Sequence, residues 1–298
     1  MQRRPSLDLI LKTPEGRFRL GWRLLLFVLV TIIGGGALAL VLPANPLYGS
    51  VALLLGSVGS GALLLAMDGR GAGALGFYLG RSSLTESALG LLLGTAIALA
   101  VVAVIFAVGG VRWAGQEGSA LGWLWAGLGA LAFLAVPAAA EEALLRGYPL
   151  QALAERWGAG AALGVTALVF GALHRANPGV TWIGTLNVAV AGVFLGVVYL
   201  RTGSLWWATG AHLGWNWAHG FLADVPVSGL ELLDAPLYEG AMRGPAWLGG
   251  GGFGPDGSIV STVLLAAISA WCWHTTWLRP SEAALKTRPL ALIERASS

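Results

Sequence analysis

The chain has 298 residues, of which 56% are hydrophobic and only 11% charged, with a formal net charge of +3. A soluble domain normally carries about 25% charged residues, so this composition excludes one and points to an all-α, polytopic membrane protein. A single cysteine, Cys272, excludes an internal disulfide and a cysteine-ligated zinc site. With no arginine-rich patch interleaved with aromatics, no nucleic-acid partner is expected.

Taken in chain order, residues 1–19 are basic and read as a cytoplasmic segment. The apolar run 24–42 exceeds the ~7–15 residues of a signal-peptide core, so it reads as a retained first helix. A spanning helix needs about 20 apolar residues. About eight transmembrane helices are expected in a helical domain covering 20–278, at roughly 20–42, 48–67, 85–109, 120–153, 160–175, 183–200, 204–220 and 258–278. The fourth is long because its C-terminal part turns polar, and the fifth is short. With both termini cytoplasmic, fifteen of the 18 basic residues fall on the inner side, leaving only Arg112, Arg175 and Arg243 outside. The stretch 221–257 is then an extracytoplasmic loop. It carries five acidic residues and ends in a glycine-rich run that reads as flexible; it is a solvated loop or a substrate lid. Residues 279–298 form a cytoplasmic tail. Small residues along the spans signal close helix packing, and the tryptophans near span ends an aromatic belt. Cys272 reads as a core or lipid-facing residue.

Charges at membrane depth are costly and usually functional. Three polar clusters lie there: Glu141, Glu142 and Arg146; Phe170 to His174; and His212 to Asn216. Glu142 and Arg146 are four apart on one helical face, while Glu141 is rotated about 100° from Glu142. His212 and Asn216 also share a face. A hairpin turning at Trp157–Gly158 puts Glu141 and His174 at one level, ~24 Å from its tip, and His212 lies ~12 Å into its own helix. The tip would stand out into the cytoplasm.

A carboxylate, two imidazoles and an amide at one depth suit water chemistry. A glutamate in a low-dielectric cavity can act as general base or acid. Imidazole can hold or share a water proton. A histidine and an asparagine on one face can donate to a developing oxyanion. Together they are the parts of a peptide-hydrolysing site without a side-chain nucleophile. Structural readings stand beside this one: Glu142 and Arg146 as a packing clamp, His174 as a helix cap, His212 and Asn216 as interhelical hydrogen-bond partners. His219 and His274 read as interfacial, and Arg175, Asn177 and Asn187 as loop and packing residues.

The three clusters, in this order, resemble the CAAX protease and bacteriocin-processing (CPBP, or Abi) family, which includes the type II CAAX prenyl endopeptidases. That family's pattern is E-E-x-x-x-R, F-x-x-x-H and H-x-x-x-N, here Glu141-Glu142…Arg146, Phe170…His174 and His212…Asn216. The resemblance covers about 120–220, the expected catalytic core. It implies an intramembrane endopeptidase whose cavity opens to the cytoplasm. Glu141 would be the general base, His174 its partner, His212 and Asn216 the oxyanion stabilisers, and Glu142 and Arg146 an orienting pair. The ligand types would permit zinc on Glu141, His174 and His212, but H-E-x-x-H is absent, which favours a glutamate mechanism with no required cofactor. The chain looks bacterial, so the expected setting is a bacterial plasma membrane and the expected substrate a membrane-associated peptide or protein. A proton-coupled transporter or a non-catalytic scaffold are the alternatives.

Overall fold

The computed structural model of the chain describes residues 11–14 and 16–292; the basic residues Arg3, Arg4 and Arg295 of the charge argument lie outside them. The protein is mostly helical. Three long helices come first: α1 (Leu20–Val41), α2 (Pro46–Met67) and α3 (Arg81–Ala107). A short strand β1 (Val111–Gly115) leads to α4 (Ala120–Glu142), which continues through a wide π turn (Ala143–Gly147) into α5 (Tyr148–Trp157). Then follow α6 (Ala159–Leu173), α7 (Trp182–Thr202) and α8 (Leu205–Trp217), the last extended by a second π turn, Ala218–Leu222. After β2 (Tyr238–Met242) and the single turn α9 (Ala246–Gly249) come α10 (Ile259–His274) and α11 (Glu282–Lys286).

Six helical segments are long and apolar enough to cross a membrane: Leu20–Val41, Pro46–Met67, Arg81–Ala107, Ala120–Trp157, Ala159–Ala176 and Trp182–Thr202. The seventh and eighth expected spans coincide with α8 and α10, which are helical but shorter. The π turn carries α8 on to Leu222 at a pitch that a sequence pattern does not show.

The closest helix pairing joins α3 to α8. Glycines at 90 and 94 face Gly210 and Gly214, and a Cβ added at Gly94 would sit 1.9 Å from the Ala211 carbonyl oxygen. Backbones meet where side chains are missing, as small residues permit in lipid. The contact fixes Ala211 and therefore its neighbour His212. Valine at Gly94 is expected to force the helices apart and cost at least the ~1–3 kcal/mol of ordinary overpacking, read as a lower unfolding temperature in detergent. At its N-terminus α8 is capped by the Ser204 hydroxyl, which receives the Trp207 amide at 3.3 Å. Ser204 and Tyr78 both donate to the buried Glu86 at 2.5 Å. Burial pushes the Tyr78 phenol up to about 12, keeping it a neutral donor.

The expected hairpin turn is present. Gly158 takes φ +83°, the left-handed region that glycine enters without steric cost. The tip does not stand free, as the sequence suggested. Arg17 and Arg23 clasp Glu155 at 2.8 Å each, and Arg23 also reaches Asp68 at 3.0 Å and the Tyr148 hydroxyl at 2.6 Å.

The stretch after α8 departs most from expectation. Residues 223–258 are packed, not a flexible solvated loop. β2 pairs antiparallel with β1, from Val111↔Met242 to Gly115↔Tyr238. Within the glycine-rich run, Phe253, Asp256 and Ser258 are buried. The cause lies in helix lengths. The 15 residues of α6 rise ~22 Å, short of a ~30 Å hydrocarbon core. The chain after α8 fills the space above them, where non-helical backbone is tolerated because protein surrounds it.

Candidate active site

Helix α4 is irregular where it matters. Pro137 removes one backbone donor from its interior, and the π turn begins directly after Glu142. Insertions of this kind recur at functional sites because they re-aim side chains. Here they send two adjacent glutamates to different environments. Glu142 is fully buried, whereas the Glu141 side chain keeps 33% of its exposure.

Glu142 is the anchor. Its Oε1 accepts from Arg146 Nη1 at 2.9 Å and lies 2.9 Å from His212 Nδ1. Arg146, also fully buried, donates its other terminal nitrogen to the Gly192 carbonyl of α7 at 3.2 Å. Its guanidinium lies 4.5 Å from the Phe170 ring centroid, a cation–π contact. The Phe170 ring meets both imidazoles edge to face, His174 at 4.7 Å and His212 at 5.9 Å. One charged pair and one aromatic ring thus tie α4, α6, α7 and α8 together.

Both imidazoles are oriented through Nδ1. His174 Nδ1 lies 2.9 Å from the Phe170 carbonyl oxygen, which only accepts, so that nitrogen carries the proton. Facing a carboxylate, His212 Nδ1 is a donor in the same way. Each Nε2 then points at Glu141 Oε2, from 4.0 Å for His174 and 3.8 Å for His212. These separations exceed a direct hydrogen bond. Asn216, one turn beyond His212, lines the same cavity.

The cavity holds about 130 Å³. Its walls are apolar on three sides, with Leu134 and Pro137 from α4 and Val188 and Phe194 from α7. Its fourth side comes from the segment after α8: Val227, Ser228, Leu230, Leu232 and Asp256. All four expected catalytic residues therefore meet at one cavity, with the three expected supporting residues packed behind them.

Sequence reasoning missed Asp256. Its carboxylate accepts from the Trp215 indole at 2.8 Å and from the Ser228 amide and hydroxyl at 2.8 and 2.6 Å. Asn187 donates to its carbonyl at 2.8 Å, a packing role as expected. Asn177 donates to the Ser228 carbonyl at 2.9 Å and lines the cavity. The signal in the sequence was one acid inside a run of glycines, indistinguishable from a turn. His219 is also corrected. It is not interfacial but fully buried, stacked edge to face on Trp215 at 4.6 Å with Nδ1 3.9 Å from Asp256, because the π turn carries α8 onward beneath the loop. His274 is exposed at the end of α10, and Cys272 is a buried core residue.

The donor types on Glu141, His174 and His212 match a two-histidine, one-carboxylate zinc set, and each imidazole has its other nitrogen held, as metal ligands do. Among the described residues, however, no three such side chains close into a group that would hold a metal ion. As they stand, these residues do not fit zinc.

Fold and site together define a multi-pass helical membrane protein with a carboxylate, two imidazoles and an amide converging inside the bundle. A family model described as type II CAAX prenyl endopeptidase Rce1-like matches residues 122–218, about a third of the chain. The match takes in every motif from Glu141 to Asn216 and bears out the resemblance seen in them. Neither a curated protein nor a solved structure gives a match.

Proposed function

We propose that the protein is an intramembrane endopeptidase that hydrolyses a peptide bond of a membrane-associated peptide or protein with a water activated by Glu141. The observation that carries this reading is the convergence of two imidazole Nε2 atoms on one carboxylate oxygen, at 3.8 and 4.0 Å. That spacing suits a water bridging all three groups. Glu141 takes one of its protons as general base while the imidazoles hold the rest of the molecule in place. The hydroxide so formed attacks the scissile carbonyl, and the peptide C–O π electrons move onto oxygen. Asn216, with a protonated His212, donates to that oxyanion. Glu141 then returns the proton to the leaving amine as the C–N bond breaks. Glu142 and Arg146 touch no substrate in this scheme; they fix the ring of His212.

The reading extends to eight spans in a bacterial plasma membrane, with both termini cytoplasmic. It is supported by the position of α8 and α10 and by the side on which the basic residues fall.

The test compares membrane peptides and protein termini from cells making the wild type or Glu141→Gln at equal levels. Termini present only with the wild type support proteolysis and identify the substrate. Matching profiles under several growth conditions would sink the reading and leave a carrier or a scaffold. A chelator added to the same cleavage addresses zinc, the second reading, which the donor types favour but their arrangement does not. Asn216→Ala is expected to lower kcat by about 10²–10³-fold, as loss of one oxyanion donor does. Single-turnover kinetics would read this, and an unchanged kcat would remove Asn216 from the site.

A further inference from the structure

The resemblance implies a cavity open to the cytoplasm, yet the packing closes that direction. Between Glu141 and the hairpin tip lie Leu145, Arg146, Tyr148, Leu150 and Gln151, none more than 6% exposed. Gln151 is itself held by donation to the Ala74 carbonyl at 3.0 Å and by the Leu290 amide at 2.7 Å. No peptide passes such a floor without unpacking the buried Glu142–Arg146 pair.

The opposite side is built differently. A second cavity of about 340 Å³ lies between α4 and the segment 224–240. It shares Leu134, Val227 and Leu232 with the catalytic cavity, so these three side chains are the partition between them. Leu232 is 45% exposed and stands on a stretch without helix or strand, so its rotation is the cheapest opening in the wall. Behind it Asp256 holds the partition by gripping Ser228 and Trp215 at once. Leu230, also on the rim, is 38% exposed.

We propose that substrate reaches Glu141 from the side of the membrane that carries residues 223–258, past the partition of Leu134, Val227 and Leu232. By the distribution of basic residues this is the extracytoplasmic side. The substrate class is then an extended, apolar segment on the outer face of a membrane protein or an exported peptide. The catalytic cavity, close to the ~150 Å³ that accommodates a benzene-sized group, accepts one aliphatic or small aromatic side chain beside the cut. This rests on the protease reading for its substrate, but its route can be measured without cleavage.

The experiment uses a membrane-impermeant maleimide on intact cells and on inside-out vesicles. Leu232→Cys is the reporter, Leu230→Cys the second should the first not fold, and Lys286→Cys marks the opposite face. The native Cys272 is buried and gives the background. Leu232→Cys is expected to label from outside, Lys286→Cys only from inside, and the adduct at 232 to abolish the Glu141-dependent termini. Labelling of Leu232→Cys only from the side that labels Lys286→Cys, or from neither side, would overturn the route. So would full cleavage after complete labelling. Should Glu141→Gln leave the termini unchanged, the protease reading falls while the labelling still reports which side the partition faces.

Discussion

Replacing Glu141 by glutamine is expected to slow peptide cleavage by about 10²–10⁴-fold, the usual contribution of a positioned general base. Glutamine keeps the size of the side chain and can still meet a water, but it cannot take the water's proton. Glu141 makes no direct hydrogen bond to either histidine, and the clamp behind it runs through Glu142. The substitution should therefore leave the unfolding temperature and KM close to those of the wild type and act on kcat. Cleavage rates of the substrate identified from cellular termini, measured with purified protein in vesicles, would show the split. Cleavage at the wild-type rate would place the base elsewhere. A fall in stability alongside activity would return Glu141 to a structural role.

The site was largely legible because its chemistry is local. Four-residue spacings set Glu142 against Arg146 and His212 beside Asn216, and helix geometry alone separates Glu141 from Glu142. The hairpin could be placed because Gly158 is where a helix must end and reverse. What the sequence hid was non-local or irregular. The π turns after Glu142 and after Trp217 shift the helical phase without marking composition, and the second of them concealed the burial of His219. Shortness of α6 could be seen; what fills the space above it could not. A glycine-rich run with one aspartate reads as a flexible linker whether it is solvated or folded into a bundle. Only packing shows that Asp256 grips Trp215 and Ser228. Strands β1 and β2 are joined across more than a hundred residues, and no local pattern announces such a pairing.

The buried pair gives the second large effect, and separates a packing clamp from an orienting device. Arg146→Met leaves Glu142 as an uncompensated charge in the core, at a cost of about 3–5 kcal/mol. A marked drop in unfolding temperature is expected, with loss of cleavage. The double substitution Glu142→Leu with Arg146→Met removes both charges. Apolar replacement of a buried ion pair is often neutral or better, so most of the lost stability should return. His212 Nδ1 would still lack its acceptor, an unsatisfied donor worth about 1–3 kcal/mol, which keeps the recovery partial. A clamp whose only task is packing predicts that activity returns with stability. An orienting pair predicts that it does not, because the Glu142 carboxylate that turns His212 Nε2 toward Glu141 has gone. We expect a double variant that melts near the wild type and cleaves no better than Arg146→Met. Measured in the same vesicles, recovered cleavage would show that His212 keeps its place without Glu142.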